Sequence, residues 1–173
     1  LPLELSGLRI AHWSDLHLTG RIGREFFEFV AQETDRLAAD MIVVTGDIHD
    51  TWDCRDWLAS TVGRLRAPEG VFFILGNHDL RPGRCDELRA LLERLGLVDL
   101  GGKALQRSIR GTELLIAGNE MPWFGPPPEL QDFPDSNAAQ PAHQLTKPLP
   151  FKILLSHSPD QIDWACRKGF NLV

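Results

Sequence analysis

Short, continuous apolar runs that stop at a glycine or a polar cluster recur along the first half of the chain. Such runs are typical of strands that are buried on both faces of a sheet. The stretches between them carry apolar residues at helical spacing. Three strand–helix units in succession predict an α/β sheet with a parallel portion. The predicted strands are 8–13, 41–45 and 71–75, and the predicted helices are 24–38, about 53–65 and 85–95.

The pattern changes in the second half of the chain. Residues 105–109 and 113–117 flank Arg110-Gly111-Thr112, which predicts a hairpin and therefore mixed sheet structure. Residues 119–150 hold 8 of the 12 prolines, which predicts a long irregular segment, either a mobile loop or a cap over a site. The remaining predicted elements are a strand over 151–155, a short helix over 160–168 and the beginning of a strand over 170–173.

Composition narrows the class of protein. A chain of 173 residues with 43% hydrophobic and 24% charged residues fits one globular domain over 1–173, within which 119–150 is the proline-rich loop. The net charge of −6 argues against non-specific nucleic-acid binding through a basic surface. The three scattered cysteines predict buried, reduced thiols rather than disulfides or a thiolate zinc site. No apolar run or signal-peptide pattern indicates a membrane span or export, so we expect a cytoplasmic or membrane-peripheral protein.

Polar side chains follow four of the predicted strands at the points where the strands end. Because the carboxyl ends of parallel strands share one edge of a sheet, we expect these side chains to lie close together. Carboxylate, imidazole and amide oxygen are ligands suited to Mn, Fe or Zn. Each motif alone has a plainer interpretation, as a loop cap, a turn or a strand-end histidine, but together they predict a metal site. The residues are Asp15, His17, Asp47, Asn77, His78, Asp79 and His157.

The spacing within these motifs suits phosphoester chemistry. Asp15-x-His17 lets two alternate side chains of an extended segment reach one ion. A carboxylate such as Asp47 can bridge two ions, and a pair of ions about 3.5–4 Å apart forms the clamp used in phosphoester hydrolysis.

The order of the motifs resembles that of the calcineurin-like metallophosphoesterases over nearly the whole chain. The motifs are Ser14-Asp15-Leu16-His17, Gly46-Asp47, Gly76-Asn77-His78-Asp79 and Ser156-His157-Ser158-Pro159. The resemblance implies mixed β-sheets packed as a sandwich and flanked by helices, in four αββα layers. It also implies a hydrolase that acts on phosphomonoesters or phosphodiesters with two divalent or trivalent metal ions.

The resemblance further implies a role for each motif residue. Asp15 and His17 would hold the first metal, and Asp47 would bridge the two metals. Asn77 and His157 would hold the second metal.

Two further residues would act without binding metal. His78 would bind the phosphate and protonate the leaving oxygen. Asp79 would orient His78 by accepting its other ring proton.

The last motif of the family, Gly-His-x-His, does not occur before Val173. We therefore expect a fold that is incomplete at the C-terminus, a shortfall of metal ligands and weak activity, and we interpret the sequence as a fragment of a longer chain. Neither His49 nor His143 is a convincing substitute, because an exposed loop histidine is the favoured interpretation of each.

Three alternatives stay open beside a hydrolase that acts on a small phosphoester. The first is a non-catalytic metal- or phosphate-binding domain with an incomplete site. The second is a nuclease, which the acidic charge and the lack of a basic stripe disfavour, so no specific nucleic acid is predicted. The third is a membrane-peripheral enzyme that contacts lipid through Trp123-Phe124-Gly125, although buried anchoring rings are the preferred interpretation there.

Overall fold

The computed structural model describes residues 2–130 and 149–173. The chain divides into two compact units. The N-terminal unit is Leu8–Asp99, and the C-terminal unit is Leu1–Gly7 with Leu100–Val173. Each unit contains one sheet and helical segments, so the mixed α/β class with two sheets and flanking helices is confirmed. His143 and most of the predicted proline-rich loop lie outside the described residues.

The sheet of the N-terminal unit is entirely parallel, in the order β1-β2-β3-β4. Its strands are β1 (Ile10–Trp13), β2 (Met41–Thr45), β3 (Val71–Ile74) and β4 (Val98–Asp99). Every residue of β2 and β3 is buried, which is why these central strands are continuous apolar runs in the sequence. The fourth strand was not predicted, because two residues are too short to give a pattern.

Two helices flank this sheet, α1 (Arg24–Arg36) and α2 (Cys85–Arg94), close to the bounds that their apolar spacing predicts. Each helix buries one stripe of residues against its unit. A charged contact adds to the packing of α2, because Arg89 Nη1 lies 2.7 Å from Asp99 Oδ1 on β4. The buried residues of the two helices are Phe27, Ala31, Thr34, Leu88 and Leu92.

The helix predicted over 53–65 is wrong. The structure has two short 3₁₀ segments instead, Trp52–Trp57 and Val62–Arg64. Thr61, which lies between the two segments, has φ −109° and ψ −102°, outside the helical region, so one continuous helix does not form. Of the four apolar positions on the predicted face, Leu58, Val62 and Leu65 are nonetheless buried, whereas Trp57 is half-buried.

The C-terminal unit contains a mixed sheet, in the order β5-β6-β7. Strands β5 (Ala104–Ile109) and β6 (Thr112–Asn119) form the predicted antiparallel hairpin, and β7 (Phe151–Ser156) runs parallel to β6. The helix predicted over 160–168 is a 3₁₀ turn followed by α3 (Ile162–Arg167). The expected last strand is reduced to a single parallel bridge between Leu172 and Ile153.

The expectation of three buried, reduced cysteines is correct only in part. All three cysteines are free, but only Cys54 is buried, whereas Cys85 is half-buried and Cys166 is exposed. Within residues 2–130 and 149–173, no helix has the length and apolar character needed to cross a membrane.

Candidate metal centre and phosphoesterase site

The loops that follow β1 and β2 pair with each other beyond the ends of the strands. The backbone N–H of Asp15 donates to the carbonyl oxygen of Gly46 at 3.2 Å, and that of His17 donates to the carbonyl oxygen of Asp47 at 2.9 Å. The parallel pairing of the strands therefore continues into the loops. It brings two of the predicted ligand segments side by side.

The backbone of these loops is strained at the predicted ligands. Asp15, His17 and Asp47 have positive φ angles of 57°, 45° and 52°. Such left-handed conformations cost a non-glycine residue on the order of 1–3 kcal/mol each, and they cluster at functional sites. Gly46 adopts φ 93°, and a Cβ at this position would lie 2.3 Å from the backbone nitrogen of Gly76. The end of β2 therefore lies too close to the end of β3 to leave room for a side chain at Gly46.

Three side chains from three strand ends face one another at this edge of the sheet. His17 Nε2 lies 3.6 Å from Asp15 Oδ1 and 3.7 Å from Asp47 Oδ2. His78 Nε2 lies 4.0 Å from the same Asp47 oxygen. The candidate ligand atoms of His17, Asp47 and His78 all fall within 4.8 Å of one another. The predicted convergence of the motifs from β1, β2 and β3 is therefore present in the N-terminal unit.

The orientation of these groups fits a metal ion. Asp47 Oδ1 accepts the backbone N–H of His78 at 2.8 Å, which holds the carboxylate with Oδ2 toward the two rings. His17 Nδ1 lies 3.3 Å from Asp50 Oδ1, while its Nε2 faces Asp15 and Asp47. A histidine with one ring nitrogen on a carboxylate and the other facing the site is the usual arrangement of a metal ligand. Imidazole and carboxylate are ligands of Mn, Fe or Zn, so the residues present suit such an ion.

Asp50 lies at the candidate site, and the sequence reasoning missed it. Its Oδ1 lies 2.7 Å from His78 Nδ1 and 3.3 Å from His17 Nδ1, so one carboxylate contacts both rings. Burial acts to raise the pKa of Asp50, but hydrogen bonds and charge from His78 and His17 hold that pKa below its usual value. The available signal was the spacing Gly46-Asp47-x-x-Asp50, which supplies a second carboxylate from the same loop.

The role predicted for Asp79, orienting the ring of His78, is wrong. Asp79 is fully buried, and its Oδ1 accepts the backbone N–H groups of Ile48 at 2.9 Å and His49 at 3.1 Å. Its Oδ2 accepts the N–H of Gly76 at 2.9 Å. Backbone donors that are buried with the carboxylate take both of its oxygens, because unpaired N–H groups are costly in the interior. Asp79 thus joins the loop after β2 to the loop after β3.

His49 is also not the exposed loop histidine that the sequence predicts. It is completely buried, with Nδ1 at 3.3 Å from Asp79 Oδ1 and its ring edge-on to Trp52. Within the part of the chain that the structure describes, its Nε2 atom has no hydrogen-bond partner. The ring therefore lies on the buried side of the loop, behind the metal-facing side chains.

The last two predicted ligands lie in different surroundings. Asn77 begins a 3₁₀ turn, Asn77–Leu80, and stands directly before His78. His157 belongs to the C-terminal unit and follows β7, where its ring centroid lies 5.5 Å from that of Trp123. The assignment of both residues as ligands of a second metal stays a prediction.

Comparison with known proteins agrees with the class of site that these residues define. The sequence model of the family described as calcineurin-like phosphoesterase matches residues 8–170. This chain belongs to that family of hydrolytic metallophosphoesterases, as its motifs predict.

Three relatives illustrate the range of the family. The chain is 31% identical over 98 residues to a transmembrane protein with metallophosphoesterase domain from Danio rerio, covering 56% of this chain and 22% of that protein. It is 26% identical over 158 residues to an uncharacterised metallophosphoesterase from Helicobacter pylori, covering 90% of this chain and 40% of the relative. It is 37% identical over 82 residues to the UDP-2,3-diacylglucosamine pyrophosphatase LpxG from Chlamydia muridarum, covering 44% of this chain and 24% of that protein. The chain thus spans well under half the length of each of these relatives.

Proposed function

We propose that this chain carries a metal-dependent phosphoester hydrolase site that cleaves phosphomonoesters or phosphodiesters. The observation that carries the proposal is the convergence of His17, Asp47 and His78 at one sheet edge, with Asp50 behind both rings. Bound metal ions supply positive charge to the phosphate and lower the pKa of the attacking water.

We assign the metal-holding roles to residues that follow strands. Asp15 and His17 would hold one ion, and Asp47 would contribute to both ion positions. Asn77 and His157 would hold the second ion, an assignment that rests on the sequence motifs alone. The close approach of His17 Nε2 to Asp15 and Asp47 supports the first assignment. The likeness of the motifs to the family supports the second.

His78 acts as the general acid in this proposal. Its Nδ1 lies 2.7 Å from Asp50 Oδ1, so that carboxylate fixes the ring and leaves Nε2 as the atom that faces the site. From there a proton passes to the leaving oxygen. The pair also favours an enzyme over the alternative of a non-catalytic metal- or phosphate-binding domain, because a site that only binds phosphate has no use for an oriented acid.

The type of phosphate bond that the site cleaves can be tested with a small set of substrates. The Chlamydia muridarum relative is named as a pyrophosphatase, which supports including a pyrophosphate linkage among the substrates to be assayed. An acidic chain of net charge −6 gives no support to a polynucleotide substrate.

The experiment measures turnover of an aryl phosphate monoester, an aryl diester and a nucleoside pyrophosphate, with and without Mn²⁺. We expect hydrolysis of at least one substrate, abolished by a chelator and by Asp47→Ala. His78→Gln lowers kcat by about 10²–10⁴-fold, the usual contribution of a general acid. Asp56→Asn is the control, because that carboxylate is 80% exposed and pairs with Arg55.

Two outcomes would contradict the proposal. Full activity in Asp47→Ala and His78→Gln would place the chemistry elsewhere. Mn²⁺ binding that Asp47→Ala abolishes, without turnover of any of the three substrates, would favour the non-catalytic domain.

A further inference from the structure

An arginine lies against the reactive nitrogen of His78. Arg81 Nη2 lies 3.0 Å from His78 Nε2, and Arg81 Nη1 lies 3.5 Å from Asp50 Oδ2. A guanidinium group has donors and no acceptor, so His78 Nε2 accepts in this contact. On the other side of the ring, His78 Nδ1 lies 2.7 Å from Asp50 Oδ1. Arg81 and Asp50 therefore occupy the two nitrogens of the same ring.

The position of Arg81 follows from the turn that also carries His78. The 3₁₀ segment Asn77–Leu80 ends at Arg81, whose backbone N–H donates to the carbonyl oxygen of His78 at 3.0 Å. Residues three apart in such a turn lie one above the other, so both side chains leave it on the same side. The side chain of Arg81 is 57% exposed, which leaves the guanidinium open to a ligand from solvent.

Two neighbouring arginines have partners elsewhere. Arg84 contacts Glu87 at 3.0 Å and lies over the ring of Trp52 at 5.4 Å, and Arg89 contacts Asp99 at 2.7 Å. Arg81 differs from both because its contacts are to the ring and carboxylate of the proposed acid pair.

We propose that Arg81 binds the phosphoryl group of the substrate, moving from His78 Nε2 to the phosphate oxygens as the leaving oxygen takes its place. This inference rests on the proposed function, in which His78 protonates that oxygen. His78 acts as the acid with protons on both ring nitrogens, so Nε2 then donates to the leaving oxygen, about 2.6–3.2 Å away, and no longer accepts from Arg81. The guanidinium is already 3.0 Å from the same atom, so the other oxygens of the phosphoryl group come within its reach.

Charge supplies a second reason for a cation at this position. Asp15, Asp47 and Asp50 gather within a few ångströms of the two histidine rings, and their negative charges oppose the approach of an anion. Bound metal ions would offset part of this repulsion, and the exposed guanidinium of Arg81 would offset more. The planar fork of an arginine also donates two parallel hydrogen bonds to two oxygens of one phosphoryl group, which a lysine cannot do. The ligand class is therefore a phosphoryl group with at least two free oxygens.

The competing explanation is that Arg81 only braces the His78–Asp50 pair. A brace would act on the geometry of the site, and its loss would weaken metal binding as well as phosphate binding. A phosphate-binding residue would change the affinity for phosphate and leave the affinity for metal as it was. The two explanations therefore differ in a binding measurement that needs no turnover.

The experiment titrates inorganic phosphate into the Mn²⁺-loaded protein by calorimetry and, separately, titrates Mn²⁺ into the metal-free protein. Arg81→Gln removes the positive charge. Arg81→Lys keeps the charge but lacks the planar guanidinium that donates two parallel hydrogen bonds. Arg84→Gln is the matched control on the same segment. We expect Arg81→Gln to weaken phosphate binding roughly tenfold to a hundredfold, as for the loss of a charge-assisted hydrogen bond. Arg81→Lys should be intermediate, Arg84→Gln should match the unsubstituted protein, and all four should bind Mn²⁺ alike.

Equal phosphate affinity in Arg81→Gln and the unsubstituted protein would overturn the inference. So would undetectable phosphate binding by the unsubstituted protein, or a fall in Mn²⁺ affinity as large as the fall in phosphate affinity. Turnover measured in parallel separates this result from the proposed function. Arg81-dependent phosphate binding without turnover would refute the hydrolase and keep the inference, whereas turnover with Arg81-independent phosphate binding would do the reverse.

Discussion

Two carboxylates of the N-terminal unit each meet a histidine, and the two pairs are built for different tasks. Asp50 has a side chain that is 17% exposed, and both of its hydrogen-bonded partners are imidazole rings, those of His17 and His78. Asp79 is fully buried and accepts hydrogen bonds from three backbone N–H groups in addition to its contact with His49. One pair lies at the candidate metal site, and the other is fully buried.

The difference shows that the hydrogen-bond partners of a carboxylate indicate its role better than its position in a sequence motif does. Asp79 directly follows His78 in the sequence, yet Asp50, 28 positions away, is the carboxylate on the His78 ring. A half-buried carboxylate that contacts two imidazole rings can orient those rings for catalysis. A carboxylate held by buried backbone donors fixes two loops relative to each other. The substitutions below test this division, from the largest expected effect to the smallest.

Removing the buried carboxylate should have the largest effect on folding. Asp79→Ala leaves the N–H groups of Ile48, His49 and Gly76 without their acceptor in the interior. Each unsatisfied buried group costs about 1–3 kcal/mol, so we expect the free energy of unfolding to fall by about 3–5 kcal/mol. Urea denaturation followed by circular dichroism measures this loss. Asp79→Asn retains one acceptor oxygen and should lose less, whereas a loss below about 1 kcal/mol in Asp79→Ala would remove its assigned role.

The second substitution tests the backbone contact that lies beside this carboxylate. At Gly46, φ is 93° and a Cβ would meet the nitrogen of Gly76 at 2.3 Å, so Gly46→Ala combines strain with a clash against backbone. We expect it to destabilise the protein by about 2–4 kcal/mol. Gly83→Ala is the matched control, because Gly83 also has a positive φ of 68° but nothing within 4 Å of the added carbon.

The control variant separates the two costs. Gly83→Ala should lose only about 1–2 kcal/mol, the cost of a left-handed alanine. The same urea titration measures both variants. Equal losses of unfolding free energy at the two glycines would mean that the loops after β2 and β3 move apart to accept the added carbon at no cost in free energy.

These buried features show where sequence reasoning reaches its limit. The strands β2 and β3 could be predicted because both faces of each are buried, which leaves a continuous apolar run. Asp15, His17, Asp47 and His78 could be placed at one edge because parallel strands end together. The partners of Asp79 could not be predicted, because they depend on the positive φ of Asp47 and the tight approach at Gly46.

The same limit explains two other errors in the N-terminal unit. The helix predicted over 53–65 has the right apolar spacing, but the backbone of Thr61 leaves the helical region, with φ −109° and ψ −102°. His49 was expected to be exposed because it stands in the loop that follows a predicted strand. The loop turns it inward, and no pattern of neighbouring residues records that turn. For His49, the contact with Asp79, 30 positions away in the sequence, accompanies its burial.

The third substitution tests the half-buried carboxylate of Asp50, which contacts the rings of His17 and His78. Asp50→Asn keeps the shape of the side chain but removes the charge that holds the rings of His17 and His78. Loss of a carboxylate that orients such a histidine typically costs about 10–100-fold, so we expect kcat to fall by this factor while the free energy of unfolding changes by less than about 1 kcal/mol. Steady-state kinetics and urea denaturation measure the two effects on the same sample. A variant that unfolds easily but retains its kcat would reverse the roles assigned to Asp50 and Asp79.

The smallest effect is expected from the histidine of the buried pair. His49→Phe fills the same space beside Trp52 and removes Nε2, which has no hydrogen-bond partner among the described residues. It also removes the 3.3 Å contact from Nδ1 to Asp79, but that carboxylate keeps its three backbone donors. A buried polar atom without a partner costs about 1–3 kcal/mol, so its loss should offset the lost contact and leave the free energy of unfolding within about 1 kcal/mol of the original. If His49→Phe instead destabilised the protein as much as Asp79→Ala, the histidine and not the backbone donors would be the partner that holds the buried carboxylate.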